Sequence, residues 1–175
     1  VCESAVAFFE NKDYQSASAL QGFYYNLLLC QLNLRHYAKC QSLANKYQIL
    51  YESGTFNWYK LQELYFLVAM HSGNYAEASL IYAQTVQNAT FAEQPAHVVE
   101  LWKIFEAYIC FLNFINVLPA ENTSFRFKIA RFVNETQVFS KDKRGMNIPI
   151  LMIQFLFPFA EGRYEELADR VENMV

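Results

Sequence analysis

Three histidines, four cysteines and two runs of charge are the places where this chain would carry chemistry. His36, His71 and His97 are its only imidazoles. None is set in an H-x-x-x-H pattern that would bring two rings to one metal, and neither a nucleophile elbow nor a phosphate-cradling glycine loop occurs. The cysteines stand at 2, 30, 40 and 110 with no C-x-x-C pair, so the close thiolate spacing that zinc needs is missing. They read as free buried thiols, although Cys30 and Cys40 flank one turn closely enough for a contact. Glu161, Glu165, Glu166 and Asp169 have the residue types of a general acid and base. Acidic residues at a helix start also complement its dipole, which is sufficient explanation. These residues predict a chain that is not an enzyme and holds no cofactor or metal.

The basic run is different. Residues 126–144 hold Arg126, Lys128, Arg131, Lys141, Lys143 and Arg144 against Glu135 and Asp142. Such a patch suits phosphate, an acidic peptide or an anionic lipid surface. The competing reading is a solvated face on which Arg131 and Glu135 pair at i,i+4. A nucleic-acid platform would need exposed rings, and Phe125, Phe127 and Phe132 have core spacing, so with a net charge of −3 no nucleic-acid partner is expected.

The elements that must position these residues are helical. Hydrophobic residues make up 54% of the 175, aromatics 17% and charged residues 18%. Typical domains carry about 25% charge, so the composition argues for a packed fold and against disorder. Five glycines and four prolines are too few for a turn-rich β fold. The most apolar run, 148–160, falls well short of the ~20 residues of a membrane span and is bracketed by Pro149 and Pro158. The chain opens at Val1 with neither an initiator methionine nor a signal peptide, which predicts a piece of a longer protein, and a cytoplasmic one. Sequons at Asn88, Asn122 and Asn134 are a faint opposing hint of secretion.

One phrase recurs four times. Gly73-Asn74-Tyr75-Ala76-Glu77-Ala78 and Gly162-Arg163-Tyr164-Glu165-Glu166-Leu167 state it clearly; Lys12-Asp13-Tyr14 and Arg35-His36-Tyr37 open looser copies. Each follows an apolar stretch and opens a more amphipathic one. The periodicity predicts helices over 4–10, 14–20, 23–34, 37–51, 56–71, 75–88, 96–118, 125–139, 148–160 and 164–174, with loops at 52–55, 89–95 and 140–147. The long interval between the last two tyrosines predicts a further repeat between Pro95 and Phe139. Cys40 occupies the small-residue position held by Ala17 and Ala78 in other copies, and so reads as packing.

This phrase resembles the turn of a tetratricopeptide repeat, in which Gly-Asp/Asn-Tyr-x-x-Ala joins one helix to the next. Gly73, Asn74, Tyr75 and Ala78 match it, with Tyr82 at the later aromatic position. Gly162, Tyr164 and Leu167 match in part, as do Tyr37 and Cys40. The chain departs from the pattern where Phe66 and Phe155 replace the helix-packing glycine and Gln62 replaces the tryptophan. The tyrosine intervals also depart from the family period of about 34. The resemblance implies an all-α fold, a right-handed superhelical solenoid of antiparallel helix hairpins over residues 1–175 as one domain, with altered packing angles. It also implies a concave face that takes a peptide or partner helix. Some members grip a terminal carboxylate with Lys, Arg and Asn. Asn26, Asn57, Lys60 and Lys103 are the comparable residues here, without the family's spacing, and Tyr59 beside Lys60 completes the candidate partner-binding set.

The aromatic excess (Tyr24, Tyr25, Trp58, Tyr59, Trp102 and Phe105) suits either an interface lining or packing between repeats. The expected role is a protein-interaction scaffold. Alternatives are a subunit that self-assembles through its apolar end, 148–174, and a peptide- or ligand-sensing module of a larger regulatory protein.

Overall fold

The computed structural model describes residues 2–10, 17–118, 127–136 and 147–172. Among them there are nine α-helices and no strand. Residues 12–16, which carry the first copy of the phrase, lie outside the described residues, as do Arg126, Lys141, Lys143, Arg144 and the sequon at Asn122. The chain divides into two compact units, Val1–Thr90 and Phe91–Val175.

The first unit holds α1 (Cys2–Glu10), α2 (Ala17–Asn33), α3 (Tyr37–Tyr47), α4 (Phe56–His71) and α5 (Tyr75–Val86). Successive helices pack on one another through the unit as far as α5, and α2 also packs directly on α4. The sequence reads a break near Gly22, but α2 runs through it. A helical glycine costs about 1 kcal/mol, which the burial of Leu20, Tyr24, Leu27 and Leu28 around it outweighs. Helix α3 is shorter than its apolar spacing predicts. It passes into a 3₁₀ turn, Gln48–Leu50, and Tyr51 adopts extended backbone, from which its hydroxyl donates to the Gln21 carbonyl at 2.8 Å. Helix α4 has the bounds that its flanking signals predict. Thr55 caps its start, its hydroxyl accepting from the Trp58 N–H at 3.3 Å.

The core of this unit is aromatic and hydroxyl-bearing. The Tyr24 ring lies 4.5 Å from that of Tyr47, and its hydroxyl is 3.3 Å from the Tyr65 hydroxyl, which donates on to the Ala44 carbonyl at 2.9 Å. Burial pushes the Tyr24 phenol far up and that of Tyr65 up to about 12. Cys40 is fully buried in this core, in the packing role its position predicts.

The second unit holds α6 (Ala96–Phe114), α7 (Ile129–Glu135), α8 (Asn147–Ala160) and α9 (Tyr164–Glu172). Helix α6 packs on α7 and α8, and α8 packs on α9. Ile104, Ala107, Phe132, Ile150, Ile153 and Phe157 form the core, with the Phe127 ring stacked 4.3 Å from Phe157. Pro158 does not end α8, which continues to Ala160. Lying in the last turn, it removes only one late hydrogen bond, and its carbonyl accepts from the Arg163 N–H at 2.9 Å.

Four helix ends share one backbone joint. Arg35 (φ 59°), Gly73 (φ 76°), Asn116 (φ 59°) and Gly162 (φ 74°) all adopt the left-handed conformation. In each, that residue's N–H bonds the carbonyl three before it and the next N–H bonds the carbonyl five before it. Gly73 to Met70 at 3.2 Å and Asn74 to Ala69 at 2.9 Å set the pattern; Asn116 to Asn113 at 3.1 Å and Val117 to Leu112 at 2.9 Å repeat it. This is the Schellman motif. Three copies are turns of the recurring phrase. The one at Asn116 lies between Pro95 and Phe139, ending α6 before the predicted Leu118.

Candidate functional site

Helices α2 and α4 bound a cleft of about 320 Å³ that Asn26, Asn57 and Lys60 all line, together with Gln21, Tyr25 and Phe56. The structure therefore brings three of the five predicted partner-binding residues to one place. Each is held. The Asn26 amide donates to the Gly22 carbonyl at 2.8 Å, and the Asn57 amide donates to Gln21 Oε1 at 3.2 Å. Gln21 is itself fixed by donating to the Leu50 carbonyl. Both asparagines keep their side-chain carbonyl oxygens free of hydrogen bonds among the described residues, and both are exposed. Lys60 spans α4 to Glu63, meeting its two oxygens at 3.0 and 2.9 Å, and its ammonium lies 5.8 Å from the Phe56 ring centre. Burial raises the Glu63 carboxyl above the ordinary carboxylate range, with Lys60 pulling the other way. Burial, and then the Glu63 charge, raise the Tyr25 phenol. The cleft thus offers oriented acceptors, one neutralised ammonium and an aromatic rim.

The other two candidates lie elsewhere. Tyr59 is fully buried, with its hydroxyl 3.1 Å from Thr90 Oγ1, and so takes no part in a surface site. One residue's step turns it about 100° around α4 from Lys60. Lys103 belongs to the second unit, where it is 3.4 Å from Glu106 and 3.8 Å from Glu135. There it joins Lys128 and Arg131 of the basic run around a small cleft of about 80 Å³. The i,i+4 pair forms, Arg131 Nε donating to Glu135 Oε1 at 2.8 Å. Arg131 and Lys103 hold the Glu135 carboxyl below the usual range. In this part of the run the solvated, paired face is the arrangement present.

His36 and His71 sit exposed at hairpin turns, the first 2.9 Å from Gln31 Oε1 and the second stacked on Tyr37. His97 is exposed in the first turn of α6. Two members of the acidic run are tied to arginines, Glu161 to Arg163 at 2.6 Å and Glu166 to Arg170 at 3.0 Å, with Arg163 bonded to Glu166 as well. All four thiols are free, but Cys30 is exposed where a buried one is expected, because it lies on the solvent side of α2. Among the described residues no group of three His, Cys, Asp or Glu side chains could hold a metal ion, and no helix is long and apolar enough to cross a membrane. Of the six aromatics weighed above, Tyr24, Tyr59, Trp102 and Phe105 are core, while Tyr25 and Trp58 are half-buried. No protein-family model, curated protein or solved structure matches the chain.

Proposed function

We propose that this chain is a tetratricopeptide-like solenoid of helical hairpins, a right-handed superhelix that serves as a non-catalytic scaffold for a peptide or partner helix. The observation that carries the reading is the convergence of Asn26, Asn57 and Lys60 on one cleft between α2 and α4. Direct packing of α2 on α4 is the relation between alternate helices that stacked hairpins require. The Schellman joints supply the tight handover from one helix to the next. Oriented carboxamides meet the polar groups of a polypeptide ligand, and the exposed Phe56 ring adds apolar contact area.

The test is a pull-down with the chain as bait, run beside an Asn26→Ala/Asn57→Ala variant. Both side chains are exposed, so the variant keeps the fold. A partner retained by the wild type and lost from the variant supports the cleft. A partner held equally by both overturns it.

A self-assembling role is the second reading, and one observation favours it. Ile148, Met152 and Phe159, at helical spacing along α8, are 58%, 47% and 61% exposed. Apolar side chains aligned this way suit a second copy. A mass that rises with concentration and returns to the monomer value in Met152→Glu would support it.

A further inference from the structure

Helix α8 is apolar on two opposite sides. At about 100° per residue, Ile150, Ile153 and Phe157 fall on one side and pack into the core. Ile148, Met152, Phe155 and Phe159 fall within about 60° of arc on the other. Of these, Phe155 is half-buried and the other three are exposed. A helix apolar all round is ordinarily covered all round. No charged residue lies between Asn147 and Ala160 to solvate the outer stripe. The apolar surface continues across the turn, because the Phe159 and Tyr164 rings meet edge to face at 5.8 Å. Tyr164, Ala168 and Val171, all exposed, then carry it along α9 at i, i+4 and i+7.

The spacing of the stripe indicates what covers it. Steps of four, three and four are those of a coiled-coil seam. They also read the same in both directions, so a twofold axis midway between Met152 and Phe155 lays the stripe upon itself. Antiparallel pairing then sets Ile148 against Phe159 of a second copy, and Met152 against Phe155. Each layer matches an aliphatic or thioether side chain with a ring. Parallel pairing would crowd ring on ring at 155 and 159. Ile148, Met152, Phe159 and Tyr164 together expose on the order of 500 Å² on each copy, so a pair buries about 1,000 Å², where specific interfaces begin.

We propose that two copies of this chain pair antiparallel through α8, with Tyr164 of each closing over Ile148 of the other. The proposal rests on the self-assembling reading above and fixes its geometry. Helix α8 brings no charge to the seam, so like charges do not oppose across it. The buried area stands at the lower limit for a specific complex, so the pair forms reversibly with concentration. An anionic membrane is the poorer occupant, because the exposed carboxylates of Glu165 and Glu172 lie beside the stripe on α9.

The test is sedimentation equilibrium of the wild type over micromolar concentrations, followed by thiol cross-linking. The mass is expected to rise from that of the monomer to twice that value. Ile148→Cys and Phe159→Cys are then made separately on a Cys30→Ser background, which removes the exposed native thiol and serves alone as the control. Under mild oxidation, a covalent dimer is expected from the two variants mixed and from neither alone. Two copies of position 148 stand roughly 16 Å apart along an antiparallel pair, too far for a disulfide. A wild type that stays monomeric overturns the self-assembling reading and this pairing together. Cross-linking of Ile148→Cys with itself means parallel helices, which overturns the arrangement and leaves self-assembly standing. A dimer that no variant cross-links, or that Met152→Glu leaves intact, places the interface elsewhere and overturns the proposal as well. The mass measurement needs no variant, and Ile148 and Phe159 are both exposed, so the outcome does not hang on a substitution that unfolds the chain.

Discussion

Lys60 places its ammonium 2.9 Å from the carboxylate of Glu63, one turn along the same helix, and is the only cation paired with this side chain among the described residues, although Glu63 is just 8% exposed. Burial raises the Glu63 carboxyl, so the folded chain takes up its proton more readily than the unfolded one. The stability this contributes is complete below the ordinary carboxylate range and is lost as pH rises through the raised folded value. Lys60→Met removes the compensating charge and should lower stability near pH 7 by about 1–3 kcal/mol, with recovery on acidification. Glu63→Gln should flatten that pH dependence. Denaturant unfolding at about pH 5 and about pH 7.5 measures both, and a pH-independent loss in Lys60→Met would show that packing, not charge, is at stake.

Gly54 and Gly73 both hold positive φ but differ in surroundings. A Cβ at Gly54 would meet Thr90 Oγ1 at 2.8 Å, whereas one at Gly73 meets nothing within 4 Å. Thr90 Oγ1 also donates to the Gly54 carbonyl at 2.9 Å, and Asn88 donates to Ser53 Oγ at 3.0 Å, so the turn before α4 is clamped to the end of α5. Gly73→Ala should cost about 1–2 kcal/mol from backbone strain alone, and Gly54→Ala clearly more. Equal losses in thermal unfolding would mean that the clamp yields freely.

Arg35 occupies the left-handed position that glycine holds at 73 and 162. Its strain is relieved in Arg35→Gly, at the cost of a more flexible unfolded chain, leaving a net gain of about 0.5–1 kcal/mol. A higher midpoint in denaturant with an unchanged slope is the expected outcome.

The thiols should separate in a disulfide-exchange titration of the native chain. Exposed Cys30 reacts first, while fully buried Cys40 reacts only on unfolding. The Cys110 thiol is pushed up to about 11 by burial and then by the Glu106 charge, so its rate should still be rising well above neutral pH. Early modification of Cys40 would contradict the packing of α2 on α3.

Much of this arrangement could be read from residue order, for reasons that also explain the rest. Thr55 and Gly73 are strong local signals, and α4 keeps the bounds they predict. The gap left at residues 21–22 between the helices predicted over 14–20 and 23–34 is absent, because burial on either side of Gly22 carries α2 through it. The joint at Asn116 carries neither glycine nor the following tyrosine. An asparagine closing a long apolar helix was the available cue. Asn26, Asn57 and Lys60 come to one cleft because α2 packs directly on α4, a contact that residue order alone does not state. Tyr59 lies in the core instead, because neighbours on a helix point about 100° apart.

The helix-end joints also set which substitutions the chain absorbs. Each is closed by main-chain atoms, and only its pivot residue touches the strained region, where glycine, asparagine and arginine all occur within this one chain. A side-chain change beside a pivot leaves both closing hydrogen bonds in place, whereas proline or a β-branched residue at the pivot itself would open the joint.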